Sequence, residues 1–374
     1  MTTQSLSFPD SVNQWDKSTP FSEILSGKNA FYKRSDYLES TRRDLDANHL
    51  PSVTYVWNTE HKTTRIIRQV LQTIIFPIGV YQLLHALVGK VALLPASAPR
   101  LMGYPKNHAD DSRRNISLNG EWKCKRIAIE VDGYQVDSII VGKADTLGNG
   151  RWVLASNGNG EFYEDKLYSD EFGQILSQIH GNAIVFNYPG VGASSGLPNR
   201  QAMAKAYRAI LTFLEDQEKG IGARQIIGYG HSIGGGVQGD ALKTHKLKEG
   251  VKYVFIKSRT FSNLKTAASF LTCRPLGFLV KILGWNVDAV GASKKLQVPE
   301  IIMQTANVET YEELADSSKI IGDGIIPAQA SLAKALLDDP QCPKDRKLFI
   351  GMREDHNAEL VDPSYLAKKI EALL

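Results

Sequence analysis

The 374-residue chain lacks the residues that would build a covalent or metal-centred scaffold. Its three cysteines, Cys124, Cys273 and Cys342, are far apart and odd in number. That spacing suits neither a disulfide framework nor a metal site, and it fits a reducing compartment. Charge of one sign is also lacking: 44 Lys and Arg against 40 Asp and Glu leave a net charge of +4. So even a balance does not point to nucleic acid. Met1 to Asp16 have no basic stretch followed by an apolar core, so no ordinary secretory signal is expected there. Internal repeats and low-complexity segments are missing too. What is present is 43% apolar and 22% charged side chains, enough for one large core or two domains.

The first sixty residues are polar and without sustained period. From Arg65 onward, Ile67, Val70, Leu71, Ile74 and Ile78 recur at helical spacing. Pro77 and Gly79 interrupt the pattern, and Tyr81, Leu84, Leu87, Val88 and Val91 resume it. Gln69 to Gly89 carry no Asp, Glu, Lys or Arg, and a spanning helix needs about 20 mostly apolar residues. Gln72, Thr73, Gln82, His85 and the central Pro77 argue against a span. Two helices packed on the protein body are expected, with an interfacial membrane helix as the alternative. Pro95 to Asn119 reads as a linker, which sets an N-terminal helical extension (1–119) apart from a main domain (120–374).

The main domain alternates between two patterns. Arg126–Val131 and Gln135–Val141 flank Asp132-Gly133, a hairpin signal. Short apolar runs follow at 151–156, 183–188, 225–229, 253–256, 300–304 and 347–351. Helical periodicity occupies 162–179, 202–214, 234–247, 328–337 and 363–373. Apolar strands separated by helices predict an α/β fold, with a mostly parallel sheet covered on both faces.

Gly230-His231-Ser232-Ile233-Gly234 matches G-x-S-x-G, a pattern that this glycine content yields by chance about 0.2 times. Context sharpens it, because an apolar strand enters the motif and a helical pattern leaves it. Such a turn lifts a serine above the sheet edge, and the two glycines let strand and helix backbones approach. The helix N-terminus then favours a developing oxyanion. Gly192-Ala193-Ser194-Ser195-Gly196 fits the same pattern, but Pro198 disfavours a helix starting at once. Ser232 is the candidate nucleophile.

A triad on this architecture runs Ser, acid, His along the chain. Only His245 and His356 follow Ser232. His245 falls within a basic helical stretch, whereas His356 follows the last strand and is the candidate base. Asp323, in a Gly-Asp-Gly loop after the strand at 300–304, is the candidate acid. The segment Lys257-Ser258-Arg259 offers no carboxylate. For the oxyanion, the N–H of Ile233 and that of Asn159 are the candidate donors, with Gly158 as the alternative.

At these residues the chain resembles the α/β-hydrolase superfamily. Asn157-Gly158-Asn159-Gly160 is similar to its His-Gly-Asn-Gly loop, with Asn in place of His. Residues 187–196 are similar to its glycine-rich loop after the fourth strand, 230–235 to the nucleophile elbow and 322–327 to the acid loop. The apolar stretch Phe76 to His85 further resembles Chlamydia CHLPS-type proteins and Legionella SidB/Sdb-type effectors. The resemblance implies an α/β-hydrolase fold with a lipase or esterase activity that needs no cofactor and no metal. It also implies a bacterial protein, cytoplasmic or delivered into a host cell.

Phe261 to Leu296 form an insertion rich in aromatic and aliphatic residues, read either as a short lid over the serine or as a helix closing the sheet's flank. A lid of that composition favours an acyl ester or lipid-like substrate. Peripheral membrane contact through the N-terminal helices is the further expectation. The same triad would serve a thioesterase or a peptidase, and a hydrolase-like scaffold binding lipid or protein without turnover is the non-enzymatic alternative.

Overall fold

The computed structural model describes residues 32–33, 52–57, 66–67, 70, 78–93, 96–97, 122–143, 145–271 and 274–374. Eleven strands form one sheet: β1 (Tyr32–Lys33), β2 (Ser52–Tyr55), β3 (Trp122–Val131), β4 (Tyr134–Lys143), β5 (Arg151–Ser156), β6 (Asn182–Phe186), β7 (Gln225–His231), β8 (Lys252–Ser258), β9 (Glu300–Thr305), β10 (Glu312–Glu313) and β11 (Lys347–Met352). Their spatial order is β1-β3-β4-β6-β5-β7-β8-β9-β11-β10, with β2 also paired to β3. From β6 to β11 along that order the neighbours run parallel. The hairpin β3–β4 and the edge strands β1 and β10 add the antiparallel pairs.

Local chemistry accounts for the main turns. Asp132 and Gly133 both take positive φ (48° and 84°), the geometry that an Asp-Gly hairpin turn demands. The hairpin strands run longer than the periodicity suggests, because β3 and β4 pair from Trp122↔Lys143 to Val131↔Tyr134. The strands β1 and β2, from a segment without sequence period, pair with β3, and β2 is further held by Tyr55, which is buried in the core and donates to Asp216 Oδ2 at 3.2 Å.

Helices cover both faces. They are α1 (Ile78–Ala92), α2 (Tyr163–Tyr168), α3 (Asp170–Gln178), α4 (Arg200–Glu215), α5 (Ile233–Leu242), α6 (Leu264–Leu271), α7 (Arg274–Ile282), α8 (Ala289–Lys295), α9 (Leu332–Leu337) and α10 (Pro363–Leu373). Alternate strand residues serve opposite cores. Trp152, Leu154, Ile184 and Phe186 pack with Met203, Tyr207 and Ile210 of α4. Val153, Ala155, Ala183 and Val185 pack with Phe172 and Leu176 of α3 and Ile370 of α10. This is the two-faced burial that the near-continuous apolar strands predict.

Three helical boundaries differ from the sequence pattern. The stretch 162–179 is split at Ser169, whose extended backbone (φ −72°, ψ 130°) ends α2 and begins α3. The stretch 328–337 is a 3-10 turn (Ala328–Ala330) followed by α9, with extended Ser331 between them. The stretch 234–247 is helical only to Leu242. His245 therefore lies past the helix, and its Nε2 meets Glu215 Oε2 at 2.9 Å instead of facing solvent. Of the first expected N-terminal helix, most residues lie outside those described. The second is α1, which packs against the 261–296 insertion: Trp285 Nε1 donates to His85 O at 3.0 Å. Among the described residues no helix is long and apolar enough to cross a membrane.

The sheet interior holds a charge cluster. Glu300 is fully buried between Lys257 Nζ (2.5 Å) and Lys347 Nζ (2.9 Å), with Ser293 Oγ donating to it at 2.9 Å. Lys347 stands opposite Glu300 in the β11–β9 register. Burial lowers the Lys257 ammonium's pKa from its ordinary value. Burial alone would raise the Glu300 carboxyl, but the two ammonium groups outweigh it and hold it below the ordinary range. Removing the shared anion leaves two buried cations unpaired, which costs about 3–5 kcal/mol. Glu300→Ala is expected to lose that much in urea unfolding. Glu312→Ala, which breaks the exposed pair with Lys319, is expected to lose about 0–1 kcal/mol. Equal small losses in both would contradict the reading of the buried cluster.

Candidate active site

The parallel strands end along one edge, and the loops leaving that edge carry the site. Ser232 follows β7 directly and begins α5 with φ 52° and ψ −121°. A non-glycine residue in that region costs on the order of 1–3 kcal/mol and persists only where its surroundings enforce it. Here the enforcement is steric and hydrogen-bonded. The Ser232 N–H donates to Ser258 O at 2.9 Å, tying the turn to the end of β8. A Cβ at Gly230 would lie 2.7 Å from Gly235 Cα, and one at Gly234 would lie 2.5 Å from Ser156 O. Only glycine allows strand and helix to close on each other at this spacing.

His356 sits in the loop after β11, with its Nε2 2.9 Å from Ser232 Oγ. Its Nδ1 is 2.9 Å from Asp323 Oδ2. The three side chains are buried, and Ser232 retains 7% of its surface. Asp323 is held on both sides. Its Oδ1 accepts the N–H groups of Ile325 (3.0 Å) and Ile326 (2.6 Å), while Oδ2 faces the imidazole and accepts a longer bond from Gln304 Nε2 at 3.4 Å. Backbone adds a further link, since His356 N–H donates to Asp323 O at 2.7 Å. Burial alone would raise the Asp323 carboxyl, but the His356 contact and the two amides outweigh it and lower it below the ordinary range. A carboxylate ionised at neutral pH therefore faces the imidazole. The geometry brings together the serine, imidazole and carboxylate that the motifs single out.

The Asn-Gly loop after β5 lies beside them. Asn157 is buried, its Nδ2 donating to Phe186 O (3.1 Å) and its carbonyl accepting from Tyr188 Oη (2.8 Å). An asparagine thus anchors this loop where the related motif has histidine. Gly158 N–H is occupied by Glu161 Oε2 at 2.6 Å. Of the two candidate donors this bond occupies one, while the N–H of Asn159 has no acceptor among the described residues. Ile233, at the first position of α5, directs its N–H out of the helix N-terminus. Lys166 Nζ lies 3.6 Å from Glu161. Burial would raise the Glu161 carboxyl, but Lys166 and the Gly158 amide outweigh it and bring it down to about 2.

Ser194 is not near this array. Its Oγ donates to Asn187 O (2.8 Å) and accepts from Asp137 N–H (2.9 Å), locking the glycine-rich loop to β4. Sequence reasoning passes over Arg259. This buried residue follows β8 with φ 47°, and its Nη1 donates to Asp355 O (2.5 Å) and Ala358 O (2.7 Å). Those carbonyls bracket His356, so Arg259 holds the loop that presents the imidazole. Thr305 Oγ1, donating to Glu354 O at 2.7 Å, secures the same loop from β9. No local pattern signals either contact, since each joins residues that are more than 40 positions apart.

A cavity of about 200 Å³ opens beside His356, lined among others by His231, Glu161, Lys166, Glu171 and Arg259. Charged groups share its wall with Phe172, Tyr229 and Ala358. No group of three or more His, Cys, Asp or Glu able to hold a metal occurs among the described residues.

No curated protein matches the chain. Among solved structures, an α/β hydrolase from Vibrio vulnificus is similar at 15% identity and a TM-score of 0.50, over 88% of this chain and 99% of that one. The esterase Pf2001 of Pyrococcus furiosus is similar at 13% identity and a TM-score of 0.48, over 68% and 92%. Est1E of Butyrivibrio proteoclasticus, solved with ferulic acid, is similar at 12% identity and a TM-score of 0.47, over 66% and 96%. At such identities the Vibrio structure speaks to the fold alone, which is that of an α/β hydrolase. The family model described as Chlamydia CHLPS protein (DUF818) matches residues 41–374, and the chain belongs to that family.

Proposed function

We propose that the protein is a serine hydrolase of carboxylic esters. The observation that carries this reading is the continuous chain Ser232 Oγ–His356 Nε2 and Nδ1–Asp323 Oδ2, with both contacts at 2.9 Å and a serine held at positive φ. In the reaction, Ser232 Oγ attacks the acyl carbon and its proton passes to His356 Nε2. The carbonyl oxygen takes the negative charge, which the Ile233 and Asn159 N–H groups receive. The tetrahedral adduct collapses by breaking the ester C–O bond, and the leaving alkoxide takes the proton from His356. Water, deprotonated by His356, then attacks the acyl-enzyme and releases the acid and free Ser232. Asp323 orients the imidazole throughout and stabilises its cation. The charged groups in the wall of the cavity at His356 suit a polar leaving group.

His231 bears on the energetics of this array. Its ring centroid is 4.9 Å from that of His356, close enough for two cations to repel. Burial lowers the His231 imidazole to about 3, so it stays neutral and leaves the His356 cation unopposed.

A fluorophosphonate probe is expected to label the native protein at Ser232. Ser232→Ala should lose that labelling and the hydrolysis of p-nitrophenyl esters, whereas Ser194→Ala should keep labelling. Labelling that survives Ser232→Ala would remove the assignment. Asp323→Asn is expected to lower kcat by about 10⁴, as loss of the orienting carboxylate does in such triads. A fall of less than tenfold would deny Asp323 its role.

A pH dependence follows from His231. Between pH 6.5 and about 3 the unfolded chain binds a proton at this residue that the folded chain refuses. Stability is then lost as pH falls through that window, by up to about 1.4 kcal/mol per pH unit from this group. His231→Gln should flatten the loss between pH 6 and 4 in urea titrations. An unchanged slope would mean that His231 protonates as readily folded as unfolded.

A further inference from the structure

Apolar exposure in this protein is concentrated rather than scattered. Of the sixteen large apolar side chains exposed among the described residues, eleven lie within 66–87 or 270–282. Remote in sequence, they are joined where α1 meets the turn just after 270–282, at Gly284 and Trp285. α1 packs on the insertion through Trp285, whose ring lies 5.5 Å from that of His85. A Cβ at Gly89 would lie 2.7 Å from Trp285 Cζ2 and 2.1 Å from Pro198 O, so this face of α1 is pressed against the body. The opposite face carries Val80, Leu83, Leu84 and Leu87, all exposed, with Leu83 at 70%. At 100° per residue these four fall within an arc of about 100°, centred away from His85 and Gly89. On the insertion, Phe278 (59%) and Ile282 stand one turn apart on α7, and Phe270 lies in the last turn of α6.

Charge sorts the same way. Residues 61–109 contain no Asp or Glu, and neither do residues 261–287. These stretches are about a fifth of the chain and would hold about eight of its 40 acids at the average density. They carry nine Lys and Arg instead. Lys90 in the last turn of α1 and Lys281 on α7 are exposed beside the apolar residues. An apolar surface whose own segments carry cations and no acids matches the two layers of an anionic bilayer: acyl chains below, and phosphate and carboxylate headgroups above. Acids would be repelled by those headgroups, and acids are what both segments exclude. A protein partner with an apolar face would give no reason for excluding them so completely.

We propose that α1 and the α6–α7 insertion form one docking surface for an anionic phospholipid bilayer. The apolar side chains enter the headgroup–acyl boundary while Lys90 and Lys281 contact the headgroups. This surface stands independently of the ester-hydrolase reading, since it uses no residue of the Ser232 array.

The test is co-sedimentation of the full chain with vesicles of phosphatidylcholine alone or with 30% phosphatidylserine. Binding at least tenfold tighter to the anionic vesicles is expected, falling steeply with added salt. Leu83→Glu and Phe278→Glu should each weaken it at least tenfold with an unchanged melting temperature, and Phe278→Trp should retain it. Lys90→Glu with Lys281→Glu should abolish the preference for anionic vesicles. Equal binding to both vesicle types, absence of binding, or full binding by Leu83→Glu and Phe278→Glu would overturn the proposal. A dimer in sedimentation velocity that Leu83→Glu dissolves, without vesicle binding, would assign the face to a second copy and overturn it equally.

Discussion

The structure turns on the close approach of β7 and α5 around Ser232. Glycines at 230 and 234 bring backbone within distances that any side chain would occupy, and the strand-to-helix turn between them has no room to relax. The strain in Ser232 is therefore supported by the sheet, through Ser258 on β8 and Ser156 on β5. Everything chemical at the site is arranged about that fixed hydroxyl. The imidazole and carboxylate come from loops that must be brought to it, and each loop has its own tether. Arg259 and Thr305 hold the His356 loop, while the Ile325 and Ile326 amides hold Asp323.

The same logic explains the buried charges. A parallel sheet covered on both faces has no solvent for Lys257, Glu300 and Lys347, so they must satisfy one another. They lie across β8, β9 and β11, the strands whose ends present Arg259, Thr305 and the His356 loop. Packing that fixes these strands relative to one another also fixes the spacing of the groups above them. Glu161 acts likewise at the other side of the site. It takes the Gly158 N–H, while the next amide along the loop, that of Asn159, meets no acceptor among the described residues.

Much of this was legible in the residues, and the limit has a physical origin. The alternation of apolar runs and helical periods gives the two-faced sheet, because strand burial and helix amphipathicity are local in sequence. Asp132-Gly133 announces its turn because the turn requires positive φ at both positions. The serine, histidine and aspartate stand out through turn chemistry and chain order, and the structure places them at hydrogen-bonding distance. Contacts that no local pattern encodes were not legible. Arg259 reaches carbonyls nearly a hundred residues away, β1 and β2 form by pairing with the distant β3, and His245 leaves its expected helix for Glu215. The choice of Asn159 over Gly158 depends on where Glu161 points, which spacing alone does not reveal.

The central claim is that Ser232 carries the acyl group between two steps relayed by His356. Rapid quenching during turnover of a slow p-nitrophenyl ester, followed by peptide mass mapping, tests it directly. One acyl adduct is expected, on the peptide bearing Ser232, formed in a burst and absent when His356 is replaced by Ala. Product release without an adduct, or an adduct on any other side chain, would contradict it.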